Sequence, residues 1–191
     1  MIGTMVLNAP NILTLLRIVL IPVFVLLFYL PVSWGRLACA VVFLVAAIKE
    51  WVDGYLARRL GQTSPFGAFL DPVADKLMVS AALVLLVQSD PRPLIAISAF
   101  VIIGREIAIS ALREWMAELG ARANVAVSQI GKFKTAAQMT AIVLLLYRAP
   151  VLGIDVYMLG IALLSVAVVL TLWSMLVYLK AAWPSLTGRG A

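Results

Sequence analysis

The sequence predicts an all-α, polytopic membrane protein with six transmembrane helices and both termini in the cytoplasm. Three observations carry this. Apolar residues make up 64% of the 191-residue chain and charged residues only 13%; the mean hydropathy of +1.08 is far from that of soluble domains. Six apolar stretches, 12–30, 37–58, 69–87, 93–113, 131–148 and 156–180, approach the roughly 20 residues a spanning helix needs. The third observation is charge asymmetry across alternating connectors, and the length suits a single domain over 1–191.

The first span has no basic region ahead of it and carries Arg17, with Thr14 three residues earlier, so it reads as a retained helix and not as a cleaved leader. "PVSWGR", "GQTSPFG", "QSDPRP" and "RAPVLGID" supply breakers between most of the spans. The third span contains Asp71 and Asp75, and the fifth opens on Lys132 and Lys134. Pro72 has no amide hydrogen, so the third helix is expected either to begin at Asp71 or to kink there.

With a cytoplasmic N-terminus, alternation leaves Arg36, Arg92 and Arg148 outside and the other twelve basic residues inside. Trp34 and Trp183 fall near the two interfaces. The same alternation gathers Glu50, Asp53, Asp71, Asp75, Glu106, Glu114 and Glu118 on the cytoplasmic side, leaving only Asp90 and Asp155 outside.

Several chemistries are excluded outright. The chain has no histidine, so a proton acceptor must be a carboxylate or something less usual. Cys39, the lone cysteine, cannot close an intramolecular disulfide and reads as a small apolar packing residue. Carboxylates without Cys or His favour hard cations, Mg²⁺ or Mn²⁺.

The stretch "EWVDGYLARRLGQTSPFGAFLDPVADK", residues 50–76, concentrates the chemistry. In a continuing second helix, Glu50, Asp53, Gly54, Ala57, Arg58 and Gly61 share one face; in the third, Gly67, Asp71 and Asp75 recur every four residues. A short loop makes the two helices antiparallel neighbours, with their acidic faces opposed. Four crowded carboxylates would repel one another, and two divalent ions would balance them and suit a pyrophosphate ligand. The small residues let a bulky ligand approach the backbone, and Arg58 offers a fork to phosphate. Any single acid here is equally readable as a helix-end salt-bridge partner. Lys76 reads as a snorkelling interfacial anchor, and Glu106 as the partner of a nearby base.

"DGYLARRLGQTSPFGAFLDPVAD" reads D-G-x₂-A-R-x₈-G-x₃-D-x₃-D, a pattern that resembles the signature of the CDP-alcohol phosphotransferase family. "NAPNILTLLRIVLIP", "GREIAISALREWMAELG" and "VAVSQIGKFKTAAQM" extend the resemblance nearly end to end, to members that use sn-glycerol 3-phosphate as acceptor. The resemblance implies six transmembrane helices in a homodimer of the bacterial inner membrane, with the site facing the cytoplasm. It implies transfer of a phosphatidyl group from CDP-diacylglycerol to sn-glycerol 3-phosphate, with CMP released and no nucleic-acid partner. Carried over by position, Asp53, Asp71 and Asp75 are metal ligands and Asp75 also the general base. Asp53, Gly54, Ala57, Arg58 and Gly67 would hold the CDP group, with Thr14 beside it. The family pattern begins D-x₂-D-G; this chain has Glu50 at the first acidic position, with the charge one methylene further out.

An anionic acceptor needs its own cations. Arg105, Arg113, Lys132 and Lys134 converge from the inner ends of the fourth and fifth spans, and Arg17 is costly inside the first span unless it meets a polar cavity. Three alternatives share some of these features. A relative with a different acceptor would carry the same signature. An intramembrane prenyltransferase would have more spans and two Asp-rich motifs, and an ion-coupled transporter would show midplane acids and an inverted repeat.

Overall fold

The computed structural model describes the backbone of residues 9–60, 65–118 and 129–186; within these, the side chains of 9–14, 17, 49–60, 65–69, 71, 117, 129–130, 132 and 184–186 lie outside the description. Among the described residues there are six α-helices: α1 Ala9–Tyr29, α2 Gly35–Leu60, α3 Pro65–Ser89, α4 Pro93–Glu118, α5 Gln129–Tyr147 and α6 Val156–Leu186. Each falls on one of the apolar stretches. α4 and α6 run past the C-terminal ends drawn from hydropathy; in α4 backbone hydrogen bonding continues where the side chains turn polar, through Glu114 and Glu118.

α3 decides between the two alternatives open at Pro72. It starts at Pro65 and carries Pro72 internally, so it does not begin at Asp71. A proline in the first turn of a helix costs nothing, since that amide has no intrahelical acceptor. Pro72 does forfeit the bond to residue 68, as Pro22 does within α1, and transmembrane helices tolerate such losses when their neighbours pack around them.

Among the described residues three helical segments are long and apolar enough to cross a membrane: Pro72–Ser89, Pro93–Met116 and Val156–Trp183. Shorter apolar segments cover Ile18–Tyr29, Gly35–Ile48 and Phe133–Tyr147. The outside of the bundle is as apolar as its interior, with Phe100 79% and Val169 65% exposed. Such a surface belongs in lipid, and the chain is a membrane protein.

The core runs through Phe24, Phe43, Leu83, Ile102, Ile142 and Leu164, all buried. The Phe24 and Phe43 rings meet at 6.2 Å and 46°. Cys39 is buried among them as expected, its thiol 3.7 Å from the Phe24 carbonyl. α5 and α6 make the most extensive contact; α1 lies against α2 and α3, α2 against α5, and α4 against α6. Among the described residues α2 also meets α3, with α1 packed against both; the stretches of α2 and α3 nearest their connector, where the acidic faces are expected to oppose, have side chains outside the described residues.

Gly160 allows the α5–α6 approach. A Cβ placed there would lie 2.9 Å from Leu145 Cγ and 3.2 Å from Leu144 Cβ. Gly160→Val should therefore destabilise the bundle by about 1–3 kcal/mol, the range for overpacking. Thermal unfolding in detergent checks this, and an unchanged or higher midpoint would contradict the close approach.

Candidate active site

Of the four acids of the 50–76 stretch, Asp75 has its side chain among the described residues. It lines a recess with Phe43, Ala46 and Ala47 of α2, Met78 and Val79 of α3, and Met139 of α5. These residues define which faces of α2 and α3 meet. On α2, Phe43, Ala46 and Ala47 share a helical row with positions 50, 54 and 57; on α3, Met78 and Val79 share one with 71 and 75. Among the described residues no three potential ligands cluster together. The donor set is nonetheless chemically consistent: carboxylates alone, with no imidazole or thiolate beside them, fit a hard divalent cation.

Glu50, Asp53, Gly54, Ala57 and Arg58 are helical on α2, Gly67 and Asp71 on α3, Thr14 and Arg17 on α1, and Lys132 on α5, but their side chains lie outside the described residues. Gly61 lies outside them altogether.

A second constellation forms where α4, α5 and α6 meet. Arg105 donates from Nη1 to Glu106 Oε1 at 2.7 Å, and Lys134 Nζ of α5 donates to the same oxygen at 3.0 Å. The Arg105 and Lys134 side chains are only 10% and 7% exposed. One carboxylate oxygen therefore holds two buried cations. Arg105 Nη2 also donates to Ser174 Oγ at 3.3 Å, while Ser174 donates to the Thr171 carbonyl at 2.9 Å. Arg105 Nε is buried without a hydrogen-bond partner.

Tyr178 ties Arg113 to this group. Its hydroxyl accepts from Arg113 Nη2 at 3.0 Å, and both guanidiniums lie over its ring, Arg113 at 5.3 Å and Arg105 at 5.7 Å from the centroid. The eight-residue spacing that put Arg105 and Arg113 on one face of α4 is thus realised on one aromatic ring. Glu106 pairs with neighbouring bases, as expected.

Lys76 departs from its expected role. Its ammonium hydrogen-bonds Ser110 Oγ of α4, and Ser110 donates to the Glu106 carbonyl at 2.7 Å. It is drawn inward because Ser110 offers an oxygen one turn from Glu106, so it does not simply snorkel. This contact connects the residue after Asp75 to the cationic constellation. Met139 makes a second connection, lining the Asp75 recess little more than a turn from Lys134.

Ser110, Ser174 and Tyr178 did not figure in the sequence reading. A signal was present: Thr171, Ser174 and Tyr178 recur at i, i+3 and i+7 on an otherwise apolar helix, a polar stripe that membrane helices rarely carry without purpose.

The arrangement suits phosphate chemistry, with a carboxylate in an apolar recess and buried cations beyond it. The CDP-alcohol phosphatidyltransferase family model matches residues 7–173. A relative from Pseudomonas fluorescens, a CDP-diacylglycerol–glycerol-3-phosphate 3-phosphatidyltransferase, is 58% identical over 184 residues, covering 96% of this chain and 94% of its own length. Proteins of the same name from Escherichia coli K12 and Shigella flexneri are 58% identical over 175 residues, covering 92% of this chain and 94% of theirs. A match of this extent, over the helices that carry Asp75, Arg105 and Lys134, makes the chain a member of the CDP-alcohol phosphatidyltransferase family.

Proposed function

We propose that this chain transfers the phosphatidyl group of CDP-diacylglycerol to sn-glycerol 3-phosphate, giving phosphatidylglycerophosphate and CMP. The observation that carries the reading is the buried Arg105–Glu106–Lys134 cluster beside the Asp75 recess, in a chain 58% identical to relatives named for this reaction. An acceptor with its own phosphate needs buried cations; a neutral or zwitterionic alcohol has less use for them.

The family uses divalent metal ions. Glu50, Asp53, Asp71 and Asp75 would hold two of them, Mg²⁺ or Mn²⁺, which when bound neutralise the pyrophosphate and the departing CMP. Gly54, Ala57 and Gly67 leave room for the nucleotide, Arg58 offers its fork to the pyrophosphate, and Thr14 lies beside them. Arg105, Arg113, Lys132 and Lys134 hold the acceptor phosphate, with Arg17 at its edge.

Asp75 takes the proton of the glycerol 1-hydroxyl as that oxygen bonds to the lipid-bearing phosphorus. The bond from this phosphorus to the bridging oxygen breaks, and CMP leaves with the electron pair. The apolar lining of the recess, Phe43, Met78 and Met139 among it, keeps bulk water from competing as acceptor. Positioning and electrostatics supply most of the rate. All six helices span the inner membrane, the termini and the reacting end face the cytoplasm, and exposed apolar helix faces pair two copies into a homodimer.

The test is CMP release by purified protein from CDP-diacylglycerol and Mg²⁺, with and without glycerol 3-phosphate, for this chain and for Glu50→Asp. Acceptor-dependent CMP from this chain is the expected result, with Glu50→Asp within about tenfold of it, since a carboxylate is kept but moved by one methylene. CMP release indifferent to glycerol 3-phosphate in both forms would remove the acceptor assignment.

A further inference from the structure

At the opposite end of the bundle from Asp75, the helix connectors build a second charged recess, lined by Arg36, Asp90, Arg92, Arg148, Asp155 and Tyr157. We infer that this recess binds the phosphate of an anionic phospholipid headgroup at the non-catalytic face of the membrane. The site does not depend on which donor or acceptor reacts at the other end.

The charges set the argument. Arg92 grips Asp90 with Nε to Oδ1 and Nη2 to Oδ2, both at 3.0 Å, and Arg148 Nη2 reaches Asp90 Oδ2 at 3.2 Å. Tyr157 also donates its hydroxyl to Oδ2, and both guanidiniums lie over its ring, at 5.0 and 5.1 Å. One carboxylate, its side chain 10% exposed, is therefore shared between two arginines and a phenol. Asp155 is engaged elsewhere: its Oδ1 caps α6, accepting from the Tyr157 and Met158 amides at 3.0 and 3.2 Å. Arg36 lines the same recess and has no ion-pair partner among the described residues. Three arginines and two aspartates line the recess, an excess of one positive charge, and Arg36 is the arginine without an ion pair, which leaves the recess ready for an anion.

The centre of the recess is fixed by the buried Asp90, while Arg36 and Arg92 stay exposed at its rim. Arg148 sits at φ 64, a left-handed conformation that a non-glycine residue adopts at a cost. It is held there by its side chain, which bonds both Asp90 and the Ser89 carbonyl, the latter at 3.4 Å. Just beyond, Leu152 and Gly153 at φ 51 and 78 make a tight turn closed by paired Val151 and Ile154 amide bonds. The 90–92 connector joins two transmembrane-length segments and the 148–155 connector leads into a third, and exposed Trp34 stands two residues before Arg36, where a headgroup-level aromatic belongs. At that depth the abundant anion is a lipid phosphate.

The experiment uses the full chain in detergent, followed by thermal unfolding during titration with short-chain phosphatidylglycerol. Parallel titrations use short-chain phosphatidylcholine and inorganic phosphate. Arg36→Ala removes the unpaired cation without breaking the Asp90 network, and Arg36→Lys restores a charge there. Phosphatidylglycerol should raise the midpoint of the parent chain, and Arg36→Ala should weaken its apparent affinity by about tenfold, the order of one charge-assisted contact. Arg36→Lys should recover most of that loss, and CMP release should be unchanged in both variants. Equal titrations of the parent chain and Arg36→Ala would overturn the site, as would no response to phosphatidylglycerol. An equal response to phosphatidylcholine would overturn its selectivity for anionic lipid, and saturation by inorganic phosphate would overturn the lipid as its source.

Discussion

Asp75→Asn should abolish transfer while leaving the protein folded. Asparagine has the size and shape of aspartate, so the recess formed with Phe43, Ala46, Ala47, Met78, Val79 and Met139 keeps its packing. It cannot take a proton at neutral pH, and it is a poorer donor to a hard cation. Loss of a general base alone costs about 10²–10⁴-fold; loss of a charged metal ligand adds to that, so CMP release should fall towards the lower limit of detection. The diagnostic comparison is between rate and integrity: the thermal midpoint without substrates should stay within a few degrees of the parent chain. A variant that keeps a tenth or more of the parent rate would exclude Asp75 as the base.

The helices were legible because membrane spans announce themselves by length and composition, and breaker-rich connectors separated most of them. Helix adjacency was legible only in part. The short connector made α2 and α3 neighbours, and they meet among the described residues; that α1 packs against both was not readable. Connector length limits how far apart two helix ends lie; which faces pack is decided by side-chain fit along whole helices. Pro72 left two outcomes open, a start at Asp71 or a helix running on through a kink, and the helix runs on through it. In water an internal proline is a strong stop signal, whereas a packed membrane helix tolerates the lost bond.

One group of charges was legible as such: the residues that alternation assigned to a single side, Arg36, Asp90, Arg92, Arg148 and Asp155, share one recess. Arg105, Glu106, Arg113 and Lys134 were legible because charges in apolar spans are rare and their spacing placed them on helix faces. Their uncharged partners were harder to see. Ser174 and Tyr178 acquire meaning only when α6 lies against α4, a contact between elements distant in sequence. Lys76 shows the same limit: one charged residue at a helix end reads as an anchor until its partner on another helix is known.

Glu106→Gln should make the protein less stable and, at the same time, more responsive to acceptor. The parent carboxylate neutralises Arg105 and Lys134 through one oxygen at 2.7 and 3.0 Å. Glutamine keeps the length and one acceptor oxygen but leaves two cations confronting each other in a buried site. Breaking a buried ion network of this kind costs about 3 kcal/mol when one member retains some solvent contact, as Glu106 does at 29% exposure. Glycerol 3-phosphate brings the missing negative charge. If its phosphate docks on Arg105 and Lys134, it stabilises the variant more than the parent, because in the parent those cations are already compensated. Thermal unfolding with and without glycerol 3-phosphate reads both effects. A larger ligand-induced shift in Glu106→Gln places the acceptor phosphate on this pair of cations; a variant that loses stability by the same amount with and without acceptor would make Glu106 a structural clamp and move the phosphate site elsewhere.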